Sequence, residues 1–404
     1  MKPLLSFVTA CVLIAPAPAQ ELFTHIGAIE QGLSAITGLA FKHEVPYALI
    51  TKDQLRKYLD KRLRSTMKPA EVRKEELTLE MLGLVPADFD LRKSTLELLT
   101  EQAAAFYDYN QKRLYILEGS SGGDEERVAL IHELAHALAD QHFHLAKYIH
   151  EGLKSDDDST ARQAVMEGQA TWLMAAYLAR QAGGPAEIPA AVIELMKKTV
   201  ESTAVQQYPV FSRAPLYIRE SLVFPYAEGM AFQDAVYRKL GKEAFSEVFV
   251  RPPLSSGQIL HPERYLDHAG ITIPDPPAAP DANQFHKLAD GTLGEFDFRV
   301  LLTQYTSAKE GDPAAEHLAG ASYELLENKR DGYPLMAVAS AWDSAKAARR
   351  YFELCRRVMQ GKWKKFEVTA ESADRIEGRG DSGNFRVWVD GATVNQIEGL
   401  RSEP

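Results

Sequence analysis

The sequence predicts an α+β protein, in which a mainly helical domain with a small mixed sheet precedes a smaller α+β domain. Apolar residues recur with helical spacing through much of the first two thirds of the chain, and short strand-like segments interrupt them. Beyond a proline-rich stretch at 251–283 the pattern changes to strands and one basic helix. With 45% hydrophobic and 25% charged residues among 404, the composition is globular and excludes a disordered tail or a fibre.

The first nineteen residues have the pattern of a secretory signal peptide. Lys2 supplies the positive start, an apolar run follows over 4–14, and the small residues 17–19 form a cleavage site ending at Ala19. We therefore expect a secreted or periplasmic protein. Cys11 could instead carry a lipid, and we keep that alternative. Cys355 is the one cysteine beyond this segment, so no internal disulfide is expected.

The elements of the helical domain follow from caps and periodicity. Thr51 and Gln54 form a capping-box pattern, which predicts a helix from there to about Leu63. Asp124 opens a strong helix to about His142. A strand is predicted over 45–50, and a hairpin over 106–117 that turns at 108–111 and is followed by a flexible link at 119–123. Helices are predicted over 69–105, with a break near Pro86, and over 187–202 and 226–240. Thr160 and Gln163 could cap a further helix that runs to about Gln181.

The smaller domain is predicted from alternating strands and one amphipathic helix. Strands are expected at 322–327 and 334–340, and a basic helix at 345–360. A hairpin over 384–398 should turn at Asp390-Gly391. The proline-rich stretch is the best boundary, so we divide the chain into a signal peptide at 1–19, a domain at 20–283 and a domain at 284–404.

The strongest functional signal is His132-Glu133-Leu-Ala-His136, on the helix that Asp124 opens. Two histidines four residues apart differ by about 40° in direction and about 6 Å along the axis, so both rings can reach one ion. Neutral imidazole suits Zn²⁺. Glu133 is close enough to polarise a water molecule on the ion without being a ligand. The motif therefore predicts a zinc site with one ion per chain.

Two residues are candidates for the third ligand that a catalytic zinc site usually has. His142 would complete a metzincin-type spacing, but Ala139 stands where that pattern needs a glycine to stop the helix. If the helix continues, His142 points about 120° away from His136, so we expect a core or capping histidine. Glu167 lies in the next predicted helix, where Gly168 suggests close packing against another backbone. We therefore predict Glu167 as the third ligand.

The motif His132-Glu-Leu-Ala-His136 with a downstream Glu167-Gly-x-Ala170 resembles the gluzincin metallopeptidases, the class that includes thermolysin. Asp140 also matches the thermolysin-like pattern. The resemblance implies a zincin-like fold, a two-histidine, one-glutamate zinc site and hydrolysis of peptide bonds. Gluzincins often carry an acidic residue four positions after the ligand glutamate, where this chain has Thr171. The chain therefore departs from the gluzincin pattern at a position that supports the metal ligands.

The chain also resembles a group of secreted, poorly characterised bacterial proteins. The shared stretches are His132–Phe143, Glu167–Thr171, Phe224–Gly229 and Leu260–Tyr265. An oxyanion would need a hydrogen-bond donor, and Tyr226 and His261 are the candidates, although each could be purely structural. Zincins bind peptide along an edge strand beside the metal helix. The strand predicted at 112–117 is placed for that role, or else belongs to a purely structural hairpin.

We therefore expect an exported zinc-dependent peptidase with a peptide or protein substrate. The alternative is a non-enzymatic envelope binding or scaffold protein with a structural zinc, which would need a fourth protein ligand such as His142. A formal net charge of -10 without a long Lys/Arg run argues against a nucleic-acid partner. After the signal peptide no stretch of about 18 uncharged apolar residues occurs, so no membrane span is expected.

Overall fold

The computed structural model describes residues 26–66, 68–102, 105–118, 124–184 and 187–401. The predicted signal peptide, with Ala19 and Cys11, and the predicted link at 119–123 lie outside the described residues. The chain has the predicted α+β class: a mainly helical region precedes a region built on one large sheet. Among the described residues, no helix is both long and apolar enough to cross a membrane.

Helices dominate the chain up to residue 284. They are α1 (Ile26–Thr37), α2 (Lys52–Thr66), α3 (Pro69–Leu82), α4 (Leu91–Gln102), α5 (Asp124–Phe143), α6 (Leu145–Gly152), α7 (Asp156–Gln181), α8 (Ala190–Gln207), α9 (Pro209–Arg213), α10 (Leu216–Leu240), α11 (Ala244–Val250), α12 (Ser256–Leu260) and α13 (Pro262–Leu266), with short 3-10 turns at Gly241–Glu243 and Ala282–Gln284. The predicted capping box is confirmed, because Thr51 and Gln54 each accept a hydrogen bond from the other's backbone N–H.

Three strands form a small mixed sheet in this region. They are β1 (Tyr47–Ile50), β2 (Ala105–Asp108) and β3 (Arg113–Leu117). The order is β1-β3-β2, with β3 parallel to β1 and antiparallel to β2, so the predicted hairpin is confirmed. The prediction that the strand at 112–117 is an edge strand is wrong, because β3 is the central strand and has neighbours on both sides. The edge that packs on α5 is β2.

Two predicted helix starts are wrong. Helix α7 begins at Asp156, because the Ser155 hydroxyl accepts a hydrogen bond from the Asp158 N–H and three aspartates follow in the first turn. Helix α10 begins at Leu216 and continues through Pro225, where the sequence predicted a start at 226. Proline disfavours a helix interior, but this helix buries much of its surface, and packing outweighs the missing backbone hydrogen bond.

The chain from residue 285 onward forms one seven-stranded antiparallel sheet with helices packed on it. Its elements are β4 (Phe285–Leu293), α14 (Glu295–Tyr305), α15 (Ala308–Ala315), β5 (Leu318–Asn328), β6 (Pro334–Trp342), α16 (Ala345–Lys362), β7 (Glu367–Glu371), β8 (Arg375–Gly380), β9 (Gly383–Asp390) and β10 (Thr393–Leu400). The sheet order is β4-β5-β6-β10-β9-β8-β7. The predicted strands, helix and final hairpin are confirmed, whereas β4, β7, β8, α14 and α15 were not predicted.

The helical region and the sheet region share one hydrophobic core. The rings of Phe224 and Phe296, one from each region, lie 4.8 Å apart. The Gly83 carbonyl after α3 accepts hydrogen bonds from the Tyr305 hydroxyl and from Gln304, at 2.7 and 2.9 Å. The boundary drawn near residue 283 therefore separates two kinds of secondary structure that pack against each other.

Helices α7 and α10 cross in backbone contact at two glycines. A Cβ atom built on Gly168 would overlap the carbonyl group of Gly229, and one built on Gly229 would overlap the Ala164 carbonyl oxygen. Neither position leaves room for a methyl group, which explains why α7 carries a glycine in its interior despite the loss of helix propensity. Glu167 precedes Gly168, so this crossing sets where the carboxylate lies.

Replacing Gly168 by alanine is therefore expected to lower the free energy of unfolding by about 3 kcal/mol or more, because backbone must move to admit the methyl group. Urea denaturation of the purified variant measures this. The control is Gly27→Ala in α1, where an added Cβ atom meets nothing within 4 Å. That change should be neutral or stabilising by up to about 1 kcal/mol. Equal stability of the two variants would contradict the close crossing.

Candidate metal centre

Three side chains from two helices converge in the helical region: His132 and His136 of α5 and Glu167 of α7, called the triad below. The two Nε2 atoms lie 3.0 Å apart. Glu167 Oε2 lies 3.2 Å from His132 Nε2 and 3.3 Å from His136 Nε2. His132 and His136 are four residues apart within α5, so both lie on one face of the helix, and α7 packs against that face. The three residues form a group that could hold a metal ion.

The triad is buried. His132 is 0%, His136 5% and Glu167 8% exposed. Burial lowers the pKa of His132 to about 4, although Glu167 opposes the shift. Burial also lowers the pKa of His136, but the Glu167 carboxylate outweighs it and raises that pKa above its ordinary value. For Glu167 burial raises the pKa, and the two histidines reverse this and hold it far below its ordinary range. Glu167 is therefore ionised and His132 neutral at neutral pH.

One ring atom of the triad lacks support. His132 Nδ1 is buried and has no hydrogen-bond partner among the described residues. Ligand histidines usually donate from their second nitrogen to a carboxylate or a carbonyl group. The Thr171 hydroxyl, at the position where the resembling family often has an acid, donates to the Glu167 main-chain carbonyl at 2.7 Å. The Thr171 hydroxyl therefore donates within its own helix, and His132 Nδ1 lacks the partner that a ligand histidine usually has.

Two carboxylates on one face of α5 bind the hairpin of β2 and β3. Glu133 Oε2 accepts a hydrogen bond from the Tyr107 N–H at 2.7 Å. Asp140 accepts from the Tyr107 hydroxyl at 2.8 Å and from Lys112 Nζ at 2.7 Å. Residues seven apart on a helix lie within about 20° of the same direction. Both acidic residues are 1% exposed, so the hairpin buries them against α5.

His142 lies outside the triad. Because α5 continues to Phe143, the ring of His142 points away from the triad. The His142 Nε2 atom lies 2.8 Å from the Ala40 carbonyl oxygen, to which it donates. The contact ties the end of α5 to the segment that follows α1. His142 is partly exposed and caps a neighbouring backbone group rather than lying in the core.

Of the two predicted oxyanion donors, one lies beside the triad. The ring of Tyr226, on α10, stacks on His132 with centroids 6.0 Å apart and planes at 28°. His261 instead pairs with Glu295, with 2.8 Å between Nε2 and Oε1. It does not belong to the group of possible ligands around the triad. The structure thus brings Tyr226 to the candidate site and ties His261 to the helix α14.

Sequence reasoning missed two tyrosines near the triad. Tyr107 contributes a backbone N–H to Glu133, and no residue pattern encodes such a partner. Tyr109 follows β2 and is buried; burial and the nearby carboxylates of Asp108 and Glu167 raise its pKa to about 12, although Arg62 opposes the shift. For Tyr109 the sequence offers a signal, the aromatic residues at 106, 107 and 109, and the strand β2 that holds the first two packs on α5.

The comparisons with known proteins concern the other end of the chain. Residues 283–403 match a protein family described as a domain of unknown function (DUF8575). The matched segment spans the seven-stranded sheet with α14, α15 and α16, and contains none of the triad residues. Comparison with curated proteins and with solved structures found no match.

Proposed function

We propose that this chain is an exported zinc-dependent peptidase of the gluzincin type, in which His132, His136 and Glu167 hold one ion. Glu133 is the general base that takes a proton from the attacking water. The observation that carries the proposal is the convergence of two Nε2 atoms and one carboxylate oxygen within 3.3 Å of each other. Export follows from the predicted signal peptide, and a peptide or protein is the proposed substrate.

The donor set fits a zinc ion. Ligand atoms at about 2.0–2.1 Å from a tetrahedral ion are separated by about 3.3 Å. The triad separations of 3.0–3.3 Å are close to that value. Hydrogen bonds alone satisfy the three contacts poorly, because two neutral imidazoles that both donate to Glu167 would leave two N–H groups facing each other. A cation among the three atoms satisfies all of them at once.

The neutral state of His132 favours metal binding, and two contacts of neighbouring residues support the catalytic roles. His132 is neutral because burial lowers its pKa to about 4, so its lone pair is available. When bound, zinc would act as a Lewis acid that polarises a carbonyl group and makes water more acidic. Glu133 accepts the proton, and the Tyr107 N–H orients its carboxylate. Tyr226, beside His132, is the proposed donor to the developing oxyanion.

A second candidate is a binding or scaffold protein with a structural zinc. The near-complete burial of the triad favours it, since a peptidase must admit substrate. A structural site is usually closed by four protein ligands. Among the described residues, the group around the triad contains three residues that can offer a ligand atom, which leaves one position for water or substrate. That difference favours the peptidase.

The experiment compares metal content with hydrolysis in the mature chain. We expect about one zinc per chain by elemental analysis, and hydrolysis of an unfolded protein such as casein, since three ligands with one open position are typical of catalytic sites. Dialysis against a chelator should abolish hydrolysis, and zinc should restore it. Bound zinc without hydrolysis would favour the scaffold function. A chain that binds no zinc would contradict both.

A further inference from the structure

A cavity of about 310 Å³ lies between α8, α10, α14 and α15, away from the triad. Its floor is apolar: the rings of Phe224 and Phe296 lie 4.8 Å apart at an angle of 50°, and Val223 and Val300 are buried beside them. Cavities of this size and character commonly bind small molecules. We call it the α10 cavity.

Most charges that line the α10 cavity are paired. Lys197 Nζ lies 2.6 Å from Glu228 Oε2. Arg299 lies 3.2 Å from the Asp312 carboxylate. These two ion pairs neutralise four of the lining groups, so none of the four offers a free charge to a ligand.

Glu220 is one of two exceptions. Its side chain lines the cavity, is only partly exposed, and forms neither a hydrogen bond nor an ion pair among the described residues. Burial and the neighbouring Glu201 raise its pKa to about 7, although Arg219 and Arg299 oppose the shift from beyond contact distance. A carboxylate withdrawn from water without a partner is costly, so a ligand cation would relieve that cost.

An unpaired positive charge, opposite in sign to that of Glu220, lies at the rim of the α10 cavity. Lys198, on α8, also lines the cavity, is exposed, and has no ion-pair partner among the residues that the structure describes. A ligand seated on the aromatic floor would therefore meet an unpaired carboxylate and, further out, an unpaired ammonium group. The arrangement is complementary to a zwitterion with an apolar side chain.

We infer that the α10 cavity binds a protonated amine joined to an apolar side chain, the chemistry shared by apolar amino acids and the amino termini of short apolar peptides. The ammonium group pairs with Glu220, and the side chain packs on Phe224 and Phe296. A free amino acid would also place its carboxylate near Lys198. The site is independent of the metal proposal, because no triad residue lines it.

Isothermal titration of the purified chain tests this with three probes. L-Leucinamide carries the amine alone, N-acetyl-L-leucinamide lacks the positive charge, and L-leucine adds a carboxylate. We expect millimolar or tighter binding of L-leucinamide and no heat from the acetylated compound. Tighter binding of L-leucine than of L-leucinamide would identify a free amino acid as the ligand. Equal binding would identify a peptide amino terminus.

Two variants locate the site. Glu220→Gln should weaken L-leucinamide binding by about tenfold or more, because the change removes a charge-assisted hydrogen bond to the ligand. The variant should fold, because the Glu220 carboxylate has no partner to lose. Glu194→Gln, an exposed acid of α8 that does not line the cavity, is the control and should bind as the parent chain does. The inference is overturned if no probe binds, if the acetylated compound binds equally, or if Glu220→Gln binds unchanged.

Discussion

Replacing Glu133 by glutamine is expected to lower peptide hydrolysis by about a thousandfold or more while about one zinc per chain stays bound. Glutamine keeps the shape of the side chain, and its oxygen can still accept the hydrogen bond that the Tyr107 N–H now donates to Glu133. The variant loses only the group that takes the proton from the attacking water. Steady-state hydrolysis and elemental analysis of the same preparation measure the two effects.

The matched control is Glu151→Gln, an exposed glutamate of α6 whose nearest cation is Lys147 at 3.7 Å. A surface pair of this kind contributes little, so activity and metal content should both stay as in the parent chain. If the Glu133 variant hydrolysed peptide at the parent rate, the base assigned here would be wrong. If it lost zinc as well, Glu133 would be supporting the ligands instead of the reaction.

Replacing Glu167 by alanine is expected to strip the metal under mild dialysis, whereas His142→Ala keeps it. Two histidines alone hold zinc weakly, and the structure brings Glu167 Oε2 within 3.3 Å of both ring nitrogens. His142 donates to the Ala40 carbonyl oxygen, so its loss removes one hydrogen bond worth about 1 kcal/mol. Elemental analysis after dialysis gives the metal content, and urea denaturation gives the change in stability.

The opposite pattern would overturn the ligand set. A metal-free His142 variant beside a loaded Glu167 variant would mean that α5 ends near Ala139 when metal binds, as a metzincin site requires. Retention of zinc by both variants would also contradict the triad, because another residue would have to complete the site. The first outcome would mean that α7 supplies no ligand, and the second would mean that the metal binds at another site.

Local sequence was enough to predict the helix that carries the histidines and its continuation past Ala139. Both depend on interactions within about four residues, which is the range that helix periodicity and propensity describe. The small residue Gly168 also pointed to a close crossing, and the structure has Gly168 and Gly229 in backbone contact. These local signals were enough to predict that Glu167 lies close to the two histidines.

The strands of the large sheet show where such signals fail. The strand β7 is largely exposed, and β4 includes Asp290 and Gly291 in its interior, so neither alternates apolar and polar residues as a half-buried strand should. Their place comes from pairing with neighbours: β4 with β5, and β7 with β8. Backbone hydrogen bonds between strands leave little trace in residue types.

By itself, the sequence determined the α+β class, the histidine helix and the candidates for its ligands. Only the tertiary structure decided that β2 is the edge strand beside α5, that the Tyr107 N–H binds Glu133, and that His261 pairs with Glu295. The physical reason is common to all three. Periodicity and capping describe contacts a few residues apart, whereas strand order and the partner of a backbone N–H or an imidazole depend on which distant segments pack together.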